Sequence, residues 1–169
     1  MRLRELKKED APLMLEWMHD PEVVRDLQTD FGKKTLTDCE QFIRAAAEPG
    51  GDLHLAITGD TEDEYLGTVS LKHIQESDAE FAITIRKCAM GKGIAREAMS
   101  GILNYGLDKL GLRRIYWCVS PDNKRAVRFY DKNGYQRIDV PENAKGYTEE
   151  QKDYYIWYAV FQKETEANK

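Results

Sequence analysis

Apolar and polar positions in the middle of the chain predict strands followed by one long helix. In residues 79–86, every second position from Phe81 to Ile85 is apolar, as on a half-buried strand. After a turn containing glycine, apolar residues recur every three or four positions across residues 93–110, which is the spacing of a helix with one buried face. Residues 114–119 are β-branched and aromatic. A strand that follows such a helix crossover is expected to lie parallel to residues 79–86.

The other segments predict a mixed, three-layer α/β domain. The short links between the candidate strands at 53–58, 65–74 and 79–86 indicate an antiparallel meander. Residues 37–40 have the pattern of a capping box that opens a helix, and residues 49–51 (Pro-Gly-Gly) end it. The expected order is β-α-α-β-β-β-α-β-α-β-β. The remaining strands are expected at 1–6, 114–119, 135–140 and 153–161, and the remaining helices at 10–18 and 123–134. Residues 20–34 are expected to be a loop with a broken helix at 23–27, and residues 141–151 a polar connection.

The composition of the chain limits the classes of protein to which it can belong. A chain of 169 residues with 41% hydrophobic and 33% charged residues is expected to be one soluble globular domain. No apolar run approaches membrane-spanning length, and residues 1–4 do not open a signal peptide. The net charge of −5 argues against a nucleic-acid partner. The three cysteines and three histidines lack metal-ligand spacing, so no metal site is predicted, and the odd cysteine count favours a reducing cytoplasm.

The turn at residues 90–95 is the strongest candidate for ligand chemistry. Its position between a strand and a helix start leaves backbone N–H groups unpaired and directed outward, which favours a phosphate. It is not a P-loop, because Gly93 stands where Ser or Thr would follow Lys92, and it is not a dinucleotide fingerprint, because Arg96 replaces the third glycine. On these residues alone, a turn that uses glycine only for its shape is equally compatible.

A second segment gives the turn a family context. The turn, read as Met90-Gly91-Lys92-Gly93-Ile94-Ala95, resembles the Gln/Arg-x-x-Gly-x-Gly/Ala loop of the GNAT superfamily of N-acetyltransferases, and residues 123–135 resemble the family's Asn…Ala…Tyr…Gly-Phe/Tyr segment. The resemblance spans residues 1–161. Residues 15–17 and 20–23 are similar to the branch that acetylates ribosomal-protein N-termini, which also contains amino-sugar, polyamine and antibiotic acetyltransferases. Met90 departs from the usual Gln or Arg, which leaves open whether Lys92 or Arg96 supplies a polar contact.

The resemblance implies a fold, a cofactor and a set of binding residues. It implies a mostly antiparallel sheet with a V-shaped split between the central strands and helices on both faces. Residues 1–162 would form one acetyl-CoA-dependent N-acetyltransferase domain, and residues 163–169 are expected to be a disordered tail. The pantetheine arm of acetyl-CoA would pair with the strand before the loop. The implied cofactor-binding residues are Phe81, Ile83, Ile85, Met90, Gly91, Lys92, Gly93, Ile94, Ala95, Arg96, Asn123 and Ala126.

Two residues are candidates for acid–base chemistry. Tyr130 lies two helical turns after Asn123, on the face that in this family looks toward the cofactor sulfur, and a phenol there could protonate the departing thiolate. The alternative is a core aromatic. Glu80 is the first candidate for the base that deprotonates the amine; a solvated charge at the strand edge, His73 as base, or a water relay are the alternatives.

The expected function is transfer of the acetyl group from acetyl-CoA to a primary amine of a small molecule such as an amino sugar, polyamine or amino acid. A protein N-terminal acetyltransferase and a non-catalytic CoA-binding sensor are the alternatives. Four acidic residues in the segment that borders the acceptor site in this family favour a neutral-to-cationic amine; they are Asp20, Glu22, Asp26 and Asp30. A cytoplasmic monomer or homodimer without nucleic-acid or membrane partners is expected.

Overall fold

The computed structural model describes residues 1–27 and 29–163, so most of the predicted tail, residues 164–169, lies outside the described residues. Among the described residues no helix combines the length and the apolar character needed to cross a membrane. The strands are β1 (Arg2–Glu5), β2 (Leu53–Thr58), β3 (Tyr65–Gln75), β4 (Asp78–Ile85), β5 (Arg114–Val119), β6 (Gln136–Ile138) and β7 (Ile156–Phe161). The α-helices are α1 (Ala11–Met18), α2 (Pro21–Val24), α3 (Leu36–Ala46), α4 (Ile94–Asp108), α5 (Lys124–Lys132) and α6 (Glu149–Tyr154).

The strands form a seven-stranded sheet in the order β1-β2-β3-β4-β5-β7-β6. All neighbouring strands are antiparallel except β4 and β5, which are joined by the crossover through α4 and run parallel. The predicted meander and the predicted parallel pair are therefore confirmed.

Helices α4 and α5 cover one face of the sheet. Residues on this face of β3, β4 and β5, such as Leu71, Phe81 and Trp117, form one buried cluster with the apolar side of α4. Because successive side chains of β4 point to opposite faces of the sheet, Phe81 points into this core while its neighbours Glu80 and Ala82 point to the other face. The alternating apolar and polar residues of the sequence therefore correspond to the face covered by α4 and α5 and to the opposite face of the sheet.

Two separate groups of elements cover the opposite face. Helices α1 and α3 pack over β2 and β3, where Trp17, Cys39 and Tyr65 belong to one buried cluster. The segment between β6 and β7 covers the other end, where Tyr116 and Trp157 belong to a second cluster. Between these two coverings the face is left partly open, which creates the space described below.

Several element boundaries differ from the sequence-based expectation: the broken helix expected at 23–27 is α2 at Pro21–Val24, and the strand expected at 135–140 is the shorter β6 at Gln136–Ile138. Two further boundaries are set by capping boxes. The capping box before α3 is formed by Thr35 and Asp38 rather than by residues 37–40: Thr35 accepts from the Asp38 amide and Asp38 accepts from the Thr35 amide. The final strand begins at Ile156 rather than at 153, because Thr148 and Gln151 form a reciprocal capping box that starts α6. In both cases a side chain three positions away fixes the helix start.

Candidate active site

The ladder of paired residues between the parallel strands β4 and β5 is short. Only Asp78, Ala79 and Glu80 of β4 are in register with β5, and the last pair is Glu80 with Tyr116. Strand β4 continues to Ile85 and remains paired with β3 over residues 81–85, while β5 continues to Val119 and pairs with β7. The V-shaped split is therefore present, and the edge of β4 that faces it carries backbone groups without a strand partner.

The glycine turn lies directly after this free edge. A short 3-10 turn, Lys87–Ala89, leads into it, and α4 begins at Ile94. Gly91 and Gly93 have φ angles of +75° and +77°, and a Cβ built on either would meet no atom within 4 Å. The left-handed conformation favours glycine there, and the space in front of the backbone is open.

The start of α4 offers donors to that open space. Its first backbone bond runs from the Glu97 amide to the Gly93 carbonyl at 3.2 Å. The amides before Glu97 therefore have no helical acceptor, and they lie at the positive end of a 15-residue helix. This arrangement can receive a phosphate group.

Helix α5 reaches the same turn through Arg125, a residue that the sequence did not single out. Arg125 Nη1 lies 3.3 Å from Met90 Sδ. A thioether is a weak acceptor, so the exposed guanidinium keeps most of its donors available for another partner. At the start of the helix, Asn123 Oδ1 accepts from the Ala126 amide at 3.2 Å, which caps α5. The Met90–Arg125 contact joins residues 35 positions apart, which explains why local motifs missed it.

Tyr130 is buried among aromatic rings. Its ring centroid lies 5.5 Å from that of Trp117 and 5.1 Å from that of Tyr158, and only 8% of the residue is exposed. Burial raises the pKa of the Tyr130 hydroxyl well above its usual value, so the phenol remains protonated at physiological pH.

Glu80 is also buried, with 3% of its side chain exposed. Its Oε1 lies 3.2 Å from Lys72 Nζ and 3.8 Å from His73 Nδ1. Its Oε2 is buried and has no hydrogen-bond partner among residues 1–27 and 29–163. The alternative of a solvated charge at the strand edge is therefore wrong, because the β6–β7 connection and the paired strand β5 cover this position.

Two further groups lie close to Glu80. The pKa of the Tyr147 hydroxyl, in the β6–β7 connection, is raised by burial and further by Cys118 and Glu80. Burial raises the pKa of the Cys118 thiol to about 12, so it stays protonated and is a poor nucleophile.

A cavity of about 280 Å³ lies on the same face as Glu80, between helices α1 and α3 and strands β2 to β4. Lys72 lies between the cavity and Glu80, since its side chain lines the cavity and its Nζ contacts the Glu80 carboxylate. We call this cavity the acceptor pocket, because it is our candidate for the site of the acceptor. Its lining consists of Met14, Trp17, Met18, Thr29, Phe31, Lys34, Asp38, Phe42, His54, Thr68, Ser70, Lys72, Ala82, Ile83 and Thr84.

The four acidic residues expected to border an acceptor do not line this pocket. Three of them have a partner within three residues: Asp20 Oδ1 accepts from the Glu22 amide at 3.0 Å, Asp26 lies 3.6 Å from Arg25, and Asp30 lies 3.5 Å from Lys33. The fourth, Glu22, lies 2.5 Å from Lys87 in the turn that follows β4. The same segment instead contributes Thr29, Phe31 and Lys34 to the lining.

Comparisons with known proteins agree with this geometry. Residues 1–136 match the family described as "Acetyltransferase (GNAT) domain", and the chain therefore belongs to the GNAT acetyltransferases, which use acetyl-CoA as the acetyl donor. It is 28% identical over 155 residues to "Uncharacterized N-acetyltransferase p20" of Bacillus licheniformis, covering 86% of each chain. It is 26% identical over 148 residues to the spermidine N(1)-acetyltransferase of Escherichia coli K12, covering 80% of this chain and 72% of the relative.

Solved structures give the same fold. The spermidine N-acetyltransferase of Vibrio cholerae, solved with CoA and spermine, superposes with a TM-score of 0.75 at 21% identity and covers 95% of each chain. The residues present here also fit a CoA-type ligand. The split provides a free strand edge for an amide-containing arm, and the turn at Gly91 and Gly93 provides open backbone donors for a pyrophosphate.

Proposed function

We propose that the protein transfers the acetyl group of acetyl-CoA to the primary amine of a small molecule. The observation that carries this proposal is the short β4–β5 ladder, which ends at Glu80 and leaves a strand edge free directly before the glycine turn. A cofactor arm along that edge would end beside a buried carboxylate and the acceptor pocket. Family membership supports the reaction class.

Backbone groups would hold the cofactor. We assign the pyrophosphate to the amides of residues 91–96, with Lys92, Arg96 and Arg125 as nearby cations. The pantetheine amides would pair with the edge of residues 81–85. Because these contacts come mainly from the backbone, the replacement of the usual Gln or Arg by Met90 is compatible with binding. When bound, acetyl-CoA supplies the acetyl group as an activated thioester.

Glu80 and Tyr130 would handle the protons of the reaction. Glu80 would accept the proton of the acceptor ammonium, directly or through water, so that the neutral nitrogen can form the amide bond to the acetyl carbon. As the carbon–sulfur bond breaks, the sulfur takes the electron pair, and the Tyr130 hydroxyl would donate a proton to it. The nitrogen loses its second proton as the amide forms, and this proton would return to the Tyr130 phenolate, directly or through water. The unpartnered Oε2 of Glu80 and the protonated phenol of Tyr130 support these roles.

The size of the pocket and the named relatives support a small-molecule acceptor. Two of the relatives, from Vibrio cholerae and Escherichia coli, are spermidine N(1)-acetyltransferases, which supports the polyamine class alongside amino sugars and amino acids. The residues that resemble the ribosomal-protein branch have packing roles here: Glu16 pairs with Arg86 at 3.0 Å, and Trp17 Nε1 donates to the Tyr65 hydroxyl at 2.9 Å.

A turnover screen tests the proposal. Release of free thiol from acetyl-CoA is measured with amino sugars, polyamines, amino acids, simple monoamines and peptides with free N-termini, and CoA binding is measured by calorimetry in parallel. Turnover with a small amine supports the proposal. Turnover restricted to peptides would indicate a protein N-terminal acetyltransferase, and CoA binding without turnover would indicate a sensor; either result overturns it.

A further inference from the structure

We infer that the preferred acceptor is a monoamine with an apolar, aromatic-sized body, and that this body occupies the acceptor pocket. This inference rests on the proposed function, because it names the substrate class of the same site. It concerns the part of the acceptor that does not react. The lining of the pocket and the balance of its charges carry the argument.

The pocket is built mainly from apolar and aromatic side chains. Met14, Met18 and Trp17 come from α1, Phe31 from the following segment and Phe42 from α3. The Phe31 ring stands edge-on to Trp17 with centroids 5.0 Å apart, and the Phe42 ring packs on His54 at 4.6 Å. Rings in these orientations offer faces and edges to another ring, and burying an apolar body against them stabilises the complex.

Two lysines, Lys34 and Lys72, and one carboxylate, Asp38, line the pocket among the described residues, so the lining has no excess of negative charge. Lys72 lies 3.2 Å from the buried Glu80. Asp38 caps α3 through Thr35, whose hydrogen bonds lower the pKa of the Asp38 carboxyl, and the nearby Lys34 lowers it further. No other carboxylate lines the pocket among the described residues. A polyamine would bring a second ammonium into a lining where cations already outnumber carboxylates, and burial of an unpaired charge is unfavourable.

The remaining polar groups in the pocket are largely paired and uncharged. His54 Nδ1 lies 2.6 Å from Ser70 Oγ, and burial lowers the pKa of the His54 ring, which keeps the imidazole neutral at physiological pH. The Tyr65 hydroxyl, already bound to Trp17, lies 2.6 Å from Thr68 Oγ1. These pairs satisfy one another, so the pocket demands few hydrogen bonds from its occupant.

The geometry also joins the pocket to the reacting centre. Ala82, Ile83 and Thr84 line the pocket and belong to the stretch of β4 whose other edge faces the split. Lys72 connects the pocket to Glu80. An acceptor whose body lies against Phe31 and Phe42 can therefore present its amine toward Glu80 and the free strand edge.

A competition of acceptors tests this inference. We compare kcat/KM for 2-phenylethylamine, hexylamine, spermidine and putrescine with the full chain at saturating acetyl-CoA. We expect 2-phenylethylamine to exceed spermidine by about tenfold or more, since an unpaired buried ammonium costs several kcal/mol and about 1.4 kcal/mol is already tenfold. A higher kcat/KM for spermidine than for both monoamines overturns the inference while leaving the proposed function intact. Absence of turnover with these four amines, together with turnover of an amino sugar or amino acid, also overturns the inference alone, and absence of turnover with every small amine of the turnover screen overturns the proposed function itself.

Two variants check that the pocket is the origin of the preference. Phe42→Ala is expected to raise KM for 2-phenylethylamine by about two- to tenfold, the effect of losing one aromatic contact, with little change for putrescine. Tyr105→Ala is the matched control, because Tyr105 is an exposed aromatic residue of α4 outside the pocket. An equal rise in KM from both variants, or no change from Phe42→Ala, would contradict the assignment.

Discussion

The donor side and the acceptor side of the site are built in different ways. On the donor side, the free edge of β4, the glycine turn and the first turn of α4 present backbone groups. On the acceptor side, side chains from α1, α3 and three strands enclose the pocket. Backbone recognition depends on conformation, whereas the acceptor side depends on the identity of each side chain. If acetyl-CoA binds as we propose, the donor side therefore tolerates Met90, and the acceptor side can differ between relatives that share the fold.

This difference makes the two sides experimentally separable. Changes on the donor side should alter CoA affinity equally for every acceptor. Changes on the acceptor side should alter KM for some amines and leave CoA affinity unchanged. Changes in the acid–base residues between them should alter kcat for all acceptors.

Tyr130→Phe should give the largest effect. The substitution keeps the ring within its aromatic cluster and removes only the proton donor. We expect kcat to fall by ~10²–10⁴-fold, the typical contribution of general acid catalysis. Because burial raises the pKa of Tyr130 above its ordinary value near 10, the parent keeps its acid protonated across about pH 6 to 9, and the deficit should persist over that whole range.

CoA affinity and melting temperature should hardly change in the Tyr130→Phe variant. Tyr135→Phe is its control, since Tyr135 belongs to the same cluster with ring centroids 6.2 Å apart. A kcat for Tyr130→Phe within a few-fold of the parent would mean that Tyr130 only packs the core.

Glu80→Gln should separate the possible bases. If Glu80 accepts the amine proton, the isosteric amide lowers kcat by ~10²-fold or more with each amine. His73→Gln should then have only a small effect, because His73 Nδ1 is 3.8 Å from Glu80 Oε1 and acts at most through it. The larger loss in His73→Gln would assign the base to His73, and small losses in both would favour a water relay. Glu80→Gln leaves Lys72 without its carboxylate partner, which can lower stability. The melting temperature, measured by circular dichroism, is therefore the control.

The fold and the donor side were predictable because their signals are local. Alternation in β4 and the three-to-four spacing in α4 reflect the geometry of each element alone. Gly93 marks a left-handed residue at a helix start, which few other residues tolerate. The helix crossover then determines the parallel pairing of β4 and β5.

The acceptor side was not predictable because its contacts join distant segments. Nothing adjacent in sequence to Phe31 or Phe42 indicates that both face the row His54, Ser70 and Ala82 across three strands. The acidic composition of residues 20–34 favoured a neutral-to-cationic amine, which agrees with the spermidine N(1)-acetyltransferases among the relatives, but its four carboxylates do not line the pocket. Helix α6 was missed because its cap at Thr148 lies within a polar segment without apolar periodicity.

Gly93→Val should produce an intermediate effect, confined to the donor side. The φ of +77° is strained for a β-branched residue, and strain of ~1–3 kcal/mol in the turn should weaken CoA binding by about 10- to 100-fold in calorimetric titration. Gly111→Val is a matched control, because Gly111 has a φ of +69° and equally open surroundings at the other end of α4. The control should lose similar stability and keep its CoA affinity. Undiminished CoA affinity in folded Gly93→Val would refute the loop assignment.

Arg125→Ala should give the smallest effect and decides whether a side chain supplements the backbone on the donor side. Arg125 is exposed and contacts only the weak acceptor Met90 Sδ among the described residues, so its charge is available to a bound phosphate. Exposed charge pairs contribute ~0.2–1 kcal/mol, which predicts a loss of CoA affinity of about two- to fivefold at low salt. The difference from the parent should shrink as salt is raised, since screening weakens exposed pairs. Lys132→Ala removes a charge from the last turn of the same helix and serves as the control. Equal losses in both variants would indicate a general effect of net charge, whereas a loss specific to Arg125→Ala identifies a phosphate contact made by α5.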